Sequence, residues 1–177
     1  QAPPWHGIEH PDWEAARMAV YAAQIESMDR GIGSLLATLK RLNIEENTMV
    51  VFLSDNGGCA EFMAEDGWAR WYPTITPDGR EIRSGNNPEI RPGSALTFMS
   101  YDLPWANVSN TPFRRFKHWV HEGGISTPLI VRWPAMIAQG RFEHAPAHII
   151  DLMPTFLEAA GVSYPSEFGG HEIQALD

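Results

Sequence analysis

Asp55 and Asn56 are the residues of this chain best suited to holding a hard cation. They come after a short apolar run, Thr48 to Leu53, and lead into Gly57-Gly58. A carboxylate beside an amide carbonyl offers two hard oxygens of the kind Ca²⁺ or Mg²⁺ takes. Open α/β sheets place their ligands just past the C-terminal ends of such strands. The same Asp-Asn-Gly triplet is also a turn signal, because Asn and Gly tolerate positive φ. On the residues alone the turn is the stronger reading. Lys117 is the second candidate, in Phe116-Lys117-His118-Trp119-Val120-His121-Glu122-Gly123-Gly124. Its ammonium is a compact charge able to hold a sulfate or phosphate oxygen, and the Gly pair lets backbone approach closely. As a lone charge it reads more readily as a solvated surface residue.

Other reactive types carry less. His118 and His121 are spaced to share a helical face and could serve as acids or ligands, but isolated histidines are more often structural. Glu122 before two glycines reads as a hydrogen-bonding carboxylate. Cys59 lacks the fixed cation a reactive thiolate needs, and Glu61 is close behind it, so it reads as a small packed residue. As the only cysteine it forms no disulfide within the chain. Asn107-Val108-Ser109 fits the glycosylation pattern, a weak signal.

These residues need elements to position them. Met18, Tyr21, Ile25, Met28, Ile32, Leu35, Leu39 and Leu42 recur in steps of three and four, which predicts a helix over about 12–42. Asp12 is the expected N-cap and Asn43 the stop. Gly31 and Gly33 inside it suggest close packing. The run at 48–53 lacks alternation and reads as a strand buried on both faces. Residues 54–127 are irregular and rich in Gly, Pro, Asn and Ser. Two short pieces in it, Trp71 to Thr76 and Glu81 to Arg83, are candidates to pair across Pro77-Asp78-Gly79. So long an irregular stretch is usually functional. A second buried strand is expected at 128–133, then a helix over about 150–160 with Pro154 in its first turn and Gly161 as its stop. Gly169 to Asp177 shows no closing element. A helix feeding buried strands is an α/β arrangement.

Composition bounds the rest. The 177 residues are 44% hydrophobic and 20% charged, an ordinary globular balance. The net charge is −9, and the compact basic cluster is confined to Arg114, Arg115 and Lys117, which argues against a nucleic-acid binder. An anionic substrate must then meet a few placed cations or a metal. No run is long and apolar enough to span a membrane.

Taken in order, four segments resemble the sulfatase family of the alkaline-phosphatase-like superfamily. They are Tyr21…Met28-Asp29…Ile32-Gly33; Val50 to Gly58; Asn110-Thr111-Pro112-Phe113-Arg114…Lys117…Glu122-Gly123-Gly124…Thr127-Pro128; and Asp151-Leu152-Met153-Pro154-Thr155. Gly170-His171-Glu172-Ile173 also resembles the next stretch of that family. The resemblance implies residues 1–177 as part of a catalytic domain: a sandwich with a mostly parallel sheet flanked by helices, incomplete in this chain. It implies Asp55 and Asn56 as Ca²⁺ ligands. It implies Lys117 as a catalytic residue that binds the substrate sulfate.

The departures are equally specific. The family nucleophile lies in [CS]-x-[PA]-x-Arg and is oxidised to formylglycine. Cys59 is succeeded by Ala60, Glu61, Phe62 and Met63, and no Ser fits either. The early Asp pair that completes the calcium site has no counterpart, and His10-Pro11 does not match the family's upstream His. The reading is therefore a segment of a calcium-dependent sulfatase, a sulfuric ester hydrolase, with formylglycine expected upstream and no activity in this chain alone. The alternatives are a non-catalytic domain of sulfatase-like fold and a phosphodiesterase or phosphonate hydrolase of the same superfamily. The family implies a sulfate-ester substrate, a periplasmic or secreted setting, and contact with the rest of the enzyme or another copy.

Overall fold

A computed structural model describes residues 2, 4–63, 72 and 74–174 of the chain. Two compact units divide at Ala138 and Gln139. The first opens on helix α1, Pro11–Arg41. His10, not Asp12, is its N-cap, at φ 53, and Pro11 takes the first helical position. Pro is suited there because its missing N–H would have no helical partner. Asp12 and Glu14 then lie in the first turn, where carboxylates favour the positive end of the helix dipole. At the other end Asn43 has φ 56; its N–H reaches the Lys40 carbonyl at 3.0 Å and that of Ile44 the Leu39 carbonyl at 3.1 Å. That is a Schellman ending, which the expected stop at Asn43 requires.

The N-terminal half of α1 is the better-anchored part. Arg17, 4% exposed, donates to the Ser100 carbonyl at 2.7 Å, pairs with Glu14 at 2.5 Å and stacks on Trp13. Trp13 donates to the Ile90 carbonyl at 2.9 Å, and Trp105 to that of Glu14 at 3.0 Å. Farther along, Ile25, Met28 and Leu35 are exposed, so the apolar stripe is not buried along its whole length. A Cβ on Gly31 or Gly33 would meet nothing within 4 Å, so these glycines do not mark close packing among the described residues.

Strand β1, Val50–Leu53, comes next. Among the irregular segments, Ile75 bridges Glu81 across the Pro77-Asp78-Gly79 turn, and Gly79 has φ 84. Trp71 and Pro73, at the start of that expected pair, lie outside the described residues. A hydrogen bond from Thr76 holds the Asp78 carboxyl below its ordinary range. The two-residue strands β2, Arg83–Ser84, and β3, Thr97–Phe98, pair in parallel. Helices α2, Asp102–Ser109, and α3, Glu122–Ile125, precede strand β4, Leu129–Arg132.

β1 and β4 pair antiparallel, Val50 opposite Arg132 and Leu53 opposite Leu129, so these two strands are not the parallel pair that the expected sheet suggested. The reason is visible at their shared end. The Ser54 N–H reaches the Pro128 carbonyl at 3.3 Å, and the Thr127 hydroxyl the Ser54 carbonyl at 2.8 Å. The chain leaves β1 and re-enters β4 at one edge, and antiparallel pairs need no crossover helix. Nor are these strands buried on both faces: Leu129, Ile130 and Val131 are 44%, 58% and 39% exposed. Their apolar character suits burial, yet the described residues leave that surface open.

The second unit, residues 139–177, holds a 3-10 turn, Ile149–Asp151, running into helix α4, Leu152–Ala159. His148 and Asp151 form a capping box, and Gly161 at φ 66 ends the helix. Strands β5, Glu167–Phe168, and β6, His171–Glu172, make a hairpin whose two-residue loop, Gly169-Gly170, has positive φ at both positions. That loop suits the right-handed twist of paired strands, and it supplies a closing element that the sequence pattern does not predict. No helix among the described residues is long and apolar enough to cross a membrane.

Because the space beside Gly31 is open, Gly31→Ala should stabilise the protein by about 0.5–1 kcal/mol, the usual gain of Ala over Gly inside a helix. Urea denaturation measures it. Loss of stability instead would mean that another part of the protein packs on that face.

Candidate functional site

Two glycine pairs, brought together at the β1–β4 edge, form the backbone of the site. The Gly57 N–H donates to the Gly124 carbonyl at 3.0 Å. A Cβ on Gly57 would collide with the Gly123 carbonyl, and would sit 2.9 Å from Asn110 Oδ1. A Cβ on Gly123 would collide with the carbonyls of Arg114 and Arg115, and one on Gly124 with those of Phe116 and Trp119. Gly57, Gly123 and Gly124 are buried. So the Lys117 loop is moulded on the second pair, and the turn after β1 sits against the same pair. These positions need Gly for closeness, not for φ.

The loop so held is strained. Arg115 has φ 72 and His118 φ 93. Non-glycine residues in such conformations persist only where the surroundings over-determine them, and they gather at functional sites. Arg115 lies over Trp119, with its guanidinium 4.2 Å from the ring centre, and His121 meets the Trp119 edge at 6.1 Å. The Gly123 N–H also reaches the Arg114 carbonyl at 2.9 Å.

Between these parts stands Lys117. Its N–H donates to the Gly58 carbonyl at 3.0 Å, so the loop is fastened to the turn that carries Asp55 and Asn56. Its Nζ is 3.7 Å from a Glu61 carboxylate oxygen. Both side chains are substantially exposed, and such pairs contribute little to stability.

Asp55 is exposed, and its carboxylate takes no hydrogen bond or ion pair among the described residues. The Asn56 amide nitrogen donates to the Gly57 carbonyl at 2.9 Å, which leaves the amide oxygen available. Two hard oxygens fit Ca²⁺ in kind. No cluster of three or more His, Cys, Asp or Glu able to hold a metal occurs among the described residues. Two such oxygens are fewer than the six to eight that Ca²⁺ usually takes.

Sequence reasoning misses what lies behind the turn. Asn110 accepts the Gly58 N–H through Oδ1 at 3.0 Å and donates through Nδ2 to the Ala106 carbonyl at 2.6 Å. The Tyr101 hydroxyl crowds Gly58, and Tyr101 packs on Tyr21 of α1 at 4.7 Å between ring centres. Burial pushes the Tyr101 phenol above its ordinary pKa, and a hydrogen bond with Ser109 works the other way. Nothing in the periodicity marks these residues, since the partners that tie them to the turn and to α1, Gly58 and Tyr21, are more than fifty positions away. Cys59 is half-buried beside Tyr101, in keeping with a packed residue.

A strand ending in an Asp-Asn-Gly-Gly turn is thus faced by a Lys loop seated on a second Gly pair. The profile of the Sulfatase family matches residues 5–162. An uncharacterized sulfatase of Schizosaccharomyces pombe is 32% identical over 169 residues, 96% of this chain and 28% of that protein. An arylsulfatase of Klebsiella aerogenes is 34% identical over 161 residues, 89% of this chain and 33% of that protein. A steryl-sulfatase of Rattus norvegicus is 29% identical over 158 residues, 88% of this chain and 21% of that protein. The chain belongs to the sulfatase family. It spans about a third or less of the length of these relatives.

Gly123→Ala should destabilise the protein by about 2–3 kcal/mol, since its Cβ meets rigid backbone and not a movable side chain. Thermal denaturation monitored by tryptophan fluorescence checks it. A neutral effect would mean that Gly123 does not pack against the Arg114–Arg115 backbone.

Proposed function

We propose that this chain is the part of a calcium-dependent sulfatase that supplies two metal ligands and one sulfate-binding cation. The full-length protein then hydrolyses a sulfate ester: water is consumed, the S–O bond to the leaving group breaks, and an alcohol or phenol and sulfate are released. The observation that carries this reading is the Lys117 N–H bond to the Gly58 carbonyl at 3.0 Å. It places the cation-bearing loop against the Asp55–Asn56 turn, within a family match over residues 5–162.

In this reading the Asp55 carboxylate and the Asn56 amide oxygen face the ion. Bound Ca²⁺ would neutralise sulfate oxygens and make the attacking oxygen more acidic. Lys117 trades Glu61 for a sulfate oxygen and holds it while negative charge moves onto the leaving group. No residue here fits the family nucleophile pattern, so the attacking atom comes from outside these 177 residues. The open faces of β1 and β4 pack against other parts of the full-length protein or another copy.

In the full-length protein, Lys117→Ala should lower kcat/KM for an aryl sulfate by more than about tenfold, since removing one charge-stabilising donor typically costs roughly 10²–10³. Steady-state kinetics on a variant with unchanged circular dichroism measures this. Unchanged kinetics would remove Lys117 from the site.

A further inference from the structure

Asn110 immediately succeeds α2 and stands behind the Asp-Asn-Gly-Gly turn. Its two amide atoms are both used. Nδ2 donates to the carbonyl of Ala106, which is fully buried, and Oδ1 accepts the Gly58 N–H. The Gly58 carbonyl in turn accepts the Lys117 N–H. Gly58 therefore has both backbone polar groups fastened, one to Asn110 and one to Lys117. The anchor beneath is firm, because Trp105 of α2 donates to the Glu14 carbonyl of α1. Gly57, the next residue back, has its own N–H on Gly124 and its Cα close to Asn110.

We infer that Asn110 is a positioning residue of the site: it sets the placement of Asp55 and Asn56 relative to Lys117 by holding the peptide between them. This rests on the proposed roles of those three residues. Asn110 acts through backbone and touches neither ion nor sulfate. Truncating it strands a part-buried Gly58 N–H and an Ala106 carbonyl, and polar groups left so are costly. The turn then moves to find partners, carrying the ligand pair with it. Small displacements of this kind are enough to lower activity strongly.

The test uses the full-length protein, titrated with Ca²⁺, with two readouts: the Ca²⁺ concentration giving half-maximal hydrolysis of an aryl sulfate, and the rise in Tm that Ca²⁺ produces without substrate. Asn110→Ala should raise the half-saturating Ca²⁺ concentration roughly tenfold, as loss of a residue supporting metal ligands does, and shrink the Tm rise. Asn110→Asp keeps an oxygen for the Gly58 N–H but loses the donor to the Ala106 carbonyl, and should recover part of both. Thr111→Val removes a neighbouring hydrogen bond, to the Asn107 carbonyl, with no link to Gly58, and should leave both readouts unmoved. If Asn110→Ala lowers Tm alone, or Asn110→Asp is as impaired as Asn110→Ala, the positioning role is wrong. Asp55→Ala separates the two levels. Should it shift the Ca²⁺ response while Asn110→Ala does not, only the positioning role fails; should neither shift it, the metal assignment fails as well.

Discussion

The Gly57 N–H bond to the Gly124 carbonyl, made where no Cβ fits, is the contact on which the site depends. It joins segments more than sixty residues apart in the chain. Around it the Lys117 loop takes two unfavourable backbone conformations, at Arg115 and His118, and keeps them because the second glycine pair leaves no other path. A side chain on any of these glycines would force the Lys117 loop or the turn after β1 to shift. Rigid backbone on both sides thus fixes one segment on the other.

The antiparallel pairing of β1 and β4 makes this contact possible. Both ends of the long excursion from Ser54 to Pro128 emerge at one edge, so the turn and the Gly123-Gly124 segment meet directly. A parallel pair would have sent them to opposite ends. The excursion itself is irregular, and α1 anchors it through Arg17, Trp13 and Tyr21.

Much of this is legible in the sequence. The stops at Asn43 and Gly161, the strand before Asp55 and the proline inside α4 all arise from local chemistry that acts within a few residues. The pairing direction of β1 and β4 is not legible, because a short apolar run carries no polarity, and the parallel expectation rests on apolar character and on the family resemblance, neither of which says how these two strands pair. Asn110 stands in a motif that assigns it no role, since Gly58, fifty-two residues away, becomes its neighbour only after folding. For Ile25, Met28 and the β4 residues the sequence overstates burial, because periodicity reports which face is apolar and not what covers it.

The central claim is that Asp55, Asn56 and Lys117 converge on one ion-and-sulfate site. The most direct measurement is a crystal structure of the full-length protein grown with Ca²⁺ and sulfate. The account predicts the Asp55 carboxylate and Asn56 amide oxygens at about 2.3–2.6 Å from the ion, and Lys117 Nζ at hydrogen-bond distance from a sulfate oxygen, with Glu61 released. An ion bound with Asp55 and Asn56 turned away from it, or a sulfate held without Lys117, would contradict it.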